Sequence, residues 1–210
     1  MEKILLHCCC APCSVSCLPA LKEAGADITA FWYNPNIHPF KEYEARRDCL
    51  VQYLEKEGVP LIVKEDYGLR EFVKNVASDI EGRCVYCYSV RLEETAKYAK
   101  EKGFSGFTST LFASLYQDHD LMVKKAEELA EKYGVKFYYS DFRPNFREGN
   151  KKARDMGIPV VETDKNKLDQ IAEGGNHQGV VAYVAAHDYA SLEDIFKKAE
   201  EKGEPPFIVI

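Results

Sequence analysis

Residues 3–6 form a short apolar run that leads straight into HCCCAPCSVSC, and this junction constrains the fold more than any other stretch. Successive side chains of a strand point to opposite faces. Cys8, Cys9 and Cys10 therefore cannot share one pocket unless the backbone turns there. Pro12 helps to end the strand and to open that turn. The chain is expected to begin with a strand that carries clustered thiols at its carboxyl end.

Beyond that junction, apolar runs alternate with helical patterns. Strand-like runs fall at 27–32, 60–63, 106–111 and 135–139. Helical spacing falls at 14–23, 41–56, 69–76, 88–102, 119–133 and 146–156, with Gly134 and Gly157 closing the last two. This alternation predicts an α/β fold, a mainly parallel Rossmann-like sheet flanked by helices. Such sheets place their sites at the carboxyl ends of strands, where the first thiols lie. From 158 the pattern continues as an α/β extension: strands at 158–161, 180–184 and 207–210, and helices at 165–172 and 192–202. Ser191 and Asp194 fit a capping arrangement for the last helix. Two domains are expected, 1–157 and 158–210. The end on PPFIVI, an apolar strand with nothing after it, reads as the truncated segment of a longer fusion.

Composition limits the function classes. Hydrophobic residues make up 46% and charged residues 30% of the chain, as in an ordinary globular protein. No apolar run approaches the roughly 20 residues that cross a membrane. The N-terminus lacks the apolar core and cleavage site of a signal peptide. A cytoplasmic, reducing compartment is expected, where clustered cysteines bind metal or do redox work rather than form disulfides. The net charge is −6, concentrated in 158–210, where ten acidic residues face five basic ones. No large nucleic-acid-binding field follows from that balance, so RNA contact has to rest on a local patch and DNA binding is not expected.

Eight cysteines are present: Cys8, Cys9, Cys10, Cys13, Cys17, Cys49, Cys84 and Cys87. The pair Cys84-x-x-Cys87 lets two thiolates converge on one site. Cys9 and Cys10 offer two more from the turn, which suits a cluster held by four thiolates. Cys17 and Cys49 are read as packing residues inside helices. Structural zinc also uses four thiolates in two local groups, so a zinc protein that binds RNA without redox chemistry is the alternative. A dithiol role for Cys84 and Cys87 is weaker, because it leaves the first group idle. A nucleotide-dependent enzyme would need a glycine-rich loop after the first strand, and HCCCAPCS has no glycine.

LLHCCCAPCS, WYNPNIHP, RCVYCYSVRLEETAKYAKEKGF, STLFASLYQDHD and DFRPNFREG together resemble the QueH-type epoxyqueuosine reductases, in that family's order and over about residues 1–157. The resemblance implies reduction of the epoxide of epoxyqueuosine in tRNA to give queuosine. It further implies a 4Fe-4S cluster on Cys9, Cys10, Cys84 and Cys87, with no need of cobalamin. Members commonly carry a C-x-C pair after the FREG helix, thought to form a redox disulfide. This chain has no cysteine after Cys87, so its electrons are expected from an unidentified donor. From about 157, GIPVVETDKNKLDQIAEGGNHQGVVAYV resembles the linker segment of SpoU-type RNA 2′-O-ribose methyltransferases, without their catalytic domain.

Deoxygenating an epoxide consumes two electrons and two protons and releases water. The surplus thiols suggest a second iron beside the cluster, acting as a Lewis acid and held by Cys8, Cys9 or Cys13 with a carboxylate such as Asp118 or Asp120. Cys13, Asp118 and Tyr86 are the candidate catalytic residues. Tyr86 and Tyr88 flank a cluster ligand, so their rings can also shield it from water. His7 is either a proton donor or a local hydrogen-bonding residue, and His119 a surface or capping residue. His177, in the NHQG loop, is not expected to bind metal. For tRNA, Arg143, Arg147, Lys151, Lys152 and Arg154 form the best basic patch. Arg147, Lys151 and Arg154 recur at helical spacing. Trp32, Tyr33, Phe40 and Tyr43 could stack on an extruded base.

Overall fold

The computed structural model describes residues 2–145, 163–172 and Glu201. The chain divides into two compact units, residues 1–161 and 162–210. In the first, five parallel strands form one sheet: β1 (Lys3–His7), β2 (Asp27–Trp32), β3 (Leu61–Val63), β4 (Gly106–Ser109) and β5 (Lys136–Phe137). Their spatial order is β3-β2-β1-β4-β5. Leu5 pairs with Thr29 on one side and Phe107 on the other, so β1 is the central strand.

The helices are α1 (Ala11–Glu23), α2 (Phe40–Glu57), α3 (Leu69–Val76), α4 (Arg83–Glu101) and α5 (His119–Tyr133), with a 3-10 turn at Thr110–Ala113. In the second unit, α6 spans Lys165–Ile171, close to the expected helix, and the Asp164 carboxylate caps it by accepting from Lys167 N at 3.0 Å. The other elements expected beyond 145, and the helix 146–156, lie outside the described residues.

The near-continuous apolar run of β1 follows from burial on both faces. Leu5 and Leu6, on opposite faces, are both fully buried. Leu18 of α1, Leu50 of α2, Leu92 and Ala96 of α4, and Met122 and Ala126 of α5 complete one core around them. Burying a leucine side chain contributes roughly 1.5–3 kcal/mol, so these helix faces fix the layers over the sheet.

The expected strand at 135–139 shortens to Lys136–Phe137, and three further boundaries bear on the site. The first helix starts at Ala11 rather than residue 14, because Pro12 occupies its first turn, where a missing N–H is harmless. The run 106–111 splits into a four-residue strand and the 3-10 turn. Ser109 closes that turn by accepting from Leu111 N at 3.1 Å. α4 begins at Arg83, so Cys84 and Cys87 sit within its first turns rather than ahead of it. Gly68 precedes α3 with φ +61°. A Cβ there would strike Pro35, so the loop after β2 lies directly against the entry to α3.

Candidate active site

The sheet order reverses direction at β1, between β2 and β4, which makes the carboxyl ends of β1 and β4 the place where a parallel sheet opens a crevice. His7 ends β1 and Ser109 ends β4. The thiols follow at once. The Sγ atoms of Cys9, Cys10 and Cys13 all lie within 4.8 Å of one another, and Cys9 and Cys10 are 3.8 Å apart as free thiols. Cys10 is the N-cap of α1, in extended conformation, and no side chain caps the helix. Its exposed N–H groups and dipole favour negative charge on these sulfurs.

Hydrogen bonding selects which thiol ionises. Hydrogen bonds shared with the Cys10 and Cys13 sulfurs, and one donated by the Thr110 hydroxyl, lower the Cys9 pKa well below the ordinary thiol range. The Thr110 bond measures 3.3 Å. The converse is a pKa raised for Cys10 and for Cys13, because each thiol is a donor beside a thiolate. Cys8 points elsewhere. It is fully buried, donates to Leu6 O at 3.5 Å and is pushed up to about 12 by burial. It belongs to the packing and not to the sulfur group.

Cys84 and Cys87 stand outside the 4.8 Å group, on the first turns of α4, which packs against β1. Cys84 is exposed and hydrogen-bonds the Tyr88 hydroxyl. The same hydroxyl accepts from Asp118 N at 3.4 Å. Asp118 Oδ1 accepts from Leu121 N at 3.0 Å, so this carboxylate caps α5 while standing next to Tyr88. Cys87 is half-buried, and burial raises its pKa. Its carbonyl accepts from Arg91 Nε at 2.7 Å. Tyr86 turns toward α3, with its ring 6.2 Å from that of Phe72, and burial raises its pKa.

Several residues take other roles than the sequence suggested. His7 is fully buried between Ser109 Oγ at 2.8 Å and Tyr33 O at 3.2 Å. A carbonyl can only accept, so Nε2 carries the proton and Nδ1 accepts from Ser109. Burial, aided by Arg91, lowers its pKa to about 4, which makes it a neutral local partner. His119 is buried rather than on the surface, bonded through Nε2 to Tyr139 Oη at 3.0 Å, and Asp118 is the cap. Cys17 is fully buried as expected, whereas Cys49 is exposed, because it falls on the outer side of α2. Of the four aromatics offered for base stacking, Trp32, Tyr33 and Tyr43 are buried in the core. Only Phe40, 49% exposed, presents a free face.

Arg143 forks onto its neighbour Asp141 through Nε at 2.8 Å and Nη2 at 2.7 Å. Arg147, Lys151, Lys152 and Arg154 lie outside the described residues, as does His177. A cavity of about 330 Å³ lies beside the start of β1 and the end of α1, lined by Glu2, Ile4, Leu21 and Phe142. None of the thiols reaches it. Sequence reasoning missed Thr110 and Arg91. Both lie inside the quoted motifs, but neither is a cysteine or an obvious acid or base, and their place beside the sulfurs depends on β4 and α4 packing on β1.

The family model described as epoxyqueuosine reductase QueH matches residues 4–159. This chain belongs to that family. A relative named epoxyqueuosine reductase QueH from Dehalococcoides mccartyi is 40% identical over 146 residues, covering 70% of this chain and 80% of the relative. Another of that name from Histophilus somni is 39% identical over 166 residues, covering 77% and 67%. A third from Thermotoga maritima is 33% identical over 168 residues, covering 75% and 85%. A second model, described as RNA 2′-O ribose methyltransferase substrate binding, matches residues 130–190. That match starts well before residue 157, so the two likenesses overlap along the chain.

Proposed function

We propose that this chain reduces the epoxide of epoxyqueuosine in tRNA, forming queuosine. The observation that carries the reading is the group of three convergent sulfurs at the β1–β4 crevice, in a chain whose residues 4–159 match the QueH family. The donor set suits an iron–sulfur group. Three free sulfurs this close support a metal-holding role, and hydrogen bonds from its neighbours favour the thiolate form of Cys9. Cys9, Cys10, Cys84 and Cys87 are the residues we assign to a 4Fe-4S cluster, and Cys13 with Asp118 to a second iron beside it.

Bound there, a thiolate-held cluster would supply one-electron transfer chemistry. The overall change takes two electrons from an external donor and two protons, breaks both epoxide C–O bonds, forms a C=C bond and releases water. Cobalamin is not required. The chain's own residues do the rest. His7 is neutral and committed to Ser109 and Tyr33, so it fixes the β1 and β4 ends and is a poor proton source. Tyr88, on the α4–α5 side, and Tyr86, which turns toward α3, are the phenols assigned to proton delivery, with the Asp118 carboxylate beside Tyr88 as the further catalytic candidate. The exposed ring of Phe40 is the stacking surface for a base. Arg147, Lys151, Lys152 and Arg154 are assigned to tRNA phosphates. No helix among the described residues is long and apolar enough to cross a membrane, and action on tRNA would place the protein in the cytoplasm.

The test is anaerobic reconstitution of the full chain, followed by iron and sulfide counting, paramagnetic resonance and incubation of reduced protein with epoxyqueuosine-containing tRNA. Queuosine formation is expected, and Cys84→Ala abolishes it. Colourless protein holding only zinc in oxygen-free material would sink the reading in favour of a structural zinc site.

A further inference from the structure

Arg91 is the least expected residue near the sulfurs. It projects from α4 into the interior and is only 6% exposed. A buried guanidinium almost always has a carboxylate beside it, because an isolated charge in low dielectric costs several kcal/mol. Among the described residues Arg91 forms no ion pair. Its side-chain hydrogen bond runs from Nε to the carbonyl of Cys87, one turn back on its own helix. The acidic groups whose charges it feels most are the thiols of Cys9 and Cys87, followed by the Tyr88 phenol. His7 and Arg46 also face it, and neither supplies a negative charge. Cys9 is on the β1 turn and Cys87 on α4, 78 positions apart in the chain. Arg91 is thus a buried cation anchored on Cys87, within reach of the Cys9 charge, and among the described residues it has no carboxylate partner.

We infer that Arg91 is the buried counter-cation of the loaded site, a positioning residue that joins the two cysteine groups through charge and holds up the reduction potential of the group they bind. The inference rests on the iron–sulfur reading above. Thiolates around a 4Fe-4S core leave the assembly negatively charged, and reduction adds one more negative charge. A nearby cation in low dielectric favours the reduced form, which raises the potential. The empty site carries less negative charge than a thiolate-held cluster would, so the guanidinium is compensated less fully there. Its charge is therefore a burden on the empty fold and an asset to the loaded one.

That opposition gives a test that a mere packing role cannot imitate. The full chain and its Arg91→Met and Arg91→Lys variants are melted metal-free and after anaerobic cluster loading, and the potentials are read by paramagnetic resonance titration. Metal-free Arg91→Met is expected to melt at or above the wild type. Its gain in melting temperature on loading is smaller than the wild type's, and its midpoint potential is lower. Arg91→Lys restores the potential. Failure of Arg91→Met to load, with its metal-free melt intact, supports the inference equally. Arg91→Met losing as much stability metal-free as loaded, or keeping the wild-type potential, overturns it. In either case a loaded, active wild type leaves the proposed function standing. A wild-type chain that takes up no cluster removes both.

Discussion

Cys9 and Thr110, 101 positions apart, meet twice: Thr110 Oγ1 accepts from the Cys9 amide at 3.1 Å and donates to the Cys9 sulfur at 3.3 Å. One hydroxyl thus satisfies a buried backbone donor and steadies a thiolate. It can do so because β1 and β4 are paired, with His7 opposite Ser109, so the residues just past each strand emerge side by side. The sulfur group is therefore as much a product of sheet register as of the cysteine motif.

Thr110→Val keeps the shape and removes both bonds. The orphaned amide of Cys9 should cost about 1–3 kcal/mol, read as a lower urea midpoint. Loss of the hydroxyl donor also raises the Cys9 pKa. Alkylation of Cys9 in metal-free protein at neutral pH should slow accordingly. An unchanged rate would mean that Cys10 and Cys13 alone hold the thiolate.

His7 predicts a pH signature. Its folded pKa is about 4, below the ordinary 6.5, because burial opposes the charge. Between those values the unfolded chain binds more protons than the folded one, so stability falls as pH drops from 6.5 toward 4. The full difference is on the order of 3 kcal/mol. Urea unfolding at pH 7 and pH 4.5 should show this loss in the wild type and a smaller loss in His7→Asn. Equal losses in the two proteins would place the acid sensitivity elsewhere.

The eight cysteines should sort by environment when native, metal-free protein meets a bulky alkylating agent. Cys49 and Cys84 are exposed and should react first, while Cys8 and Cys17 react only on unfolding. Cys49→Ser should change stability by less than about 0.5 kcal/mol, as an exposed side chain should. It should leave iron content untouched, whereas Cys84→Ala lowers it. Mass spectrometry of the labelled peptides checks the order.

Much of this was legible in the sequence. The βα alternation announced the parallel sheet, and the step from apolar residues to thiols placed the site at the end of β1. What could not be read locally was long-range. Thr110 and Arg91 gain their roles only when β4 and α4 come to rest against β1. Helical spacing placed Cys49 in α2, but reading it as a packing residue failed, because spacing alone does not say which side of the helix faces water. Trp32 and Tyr43 drew attention as aromatics near a motif, and an aromatic side chain serves a core as readily as a binding surface.

That last ambiguity gives the final prediction. Trp32 Nε1 donates to Tyr43 Oη at 3.1 Å, and the same hydroxyl accepts from Asp66 N at 3.4 Å, so Tyr43 ties β2, α2 and the stretch after β3 together. Tyr43→Phe strands two donors and should cost about 1–3 kcal/mol. It should leave tRNA affinity unchanged, because the ring is buried. Phe40 stands at the start of the same helix with its ring 6.2 Å from that of Tyr43, yet it is 49% exposed. Phe40→Ala should barely alter the urea midpoint and should weaken tRNA binding by about 1–3 kcal/mol, the worth of one base stacked on one ring. The two variants form a crossed pair, measured by urea titration and by tRNA binding at fixed salt. Should Tyr43→Phe lose affinity while Phe40→Ala keeps it, the stacking surface belongs to the interior side of α2, and the placement of the base over Phe40 is wrong.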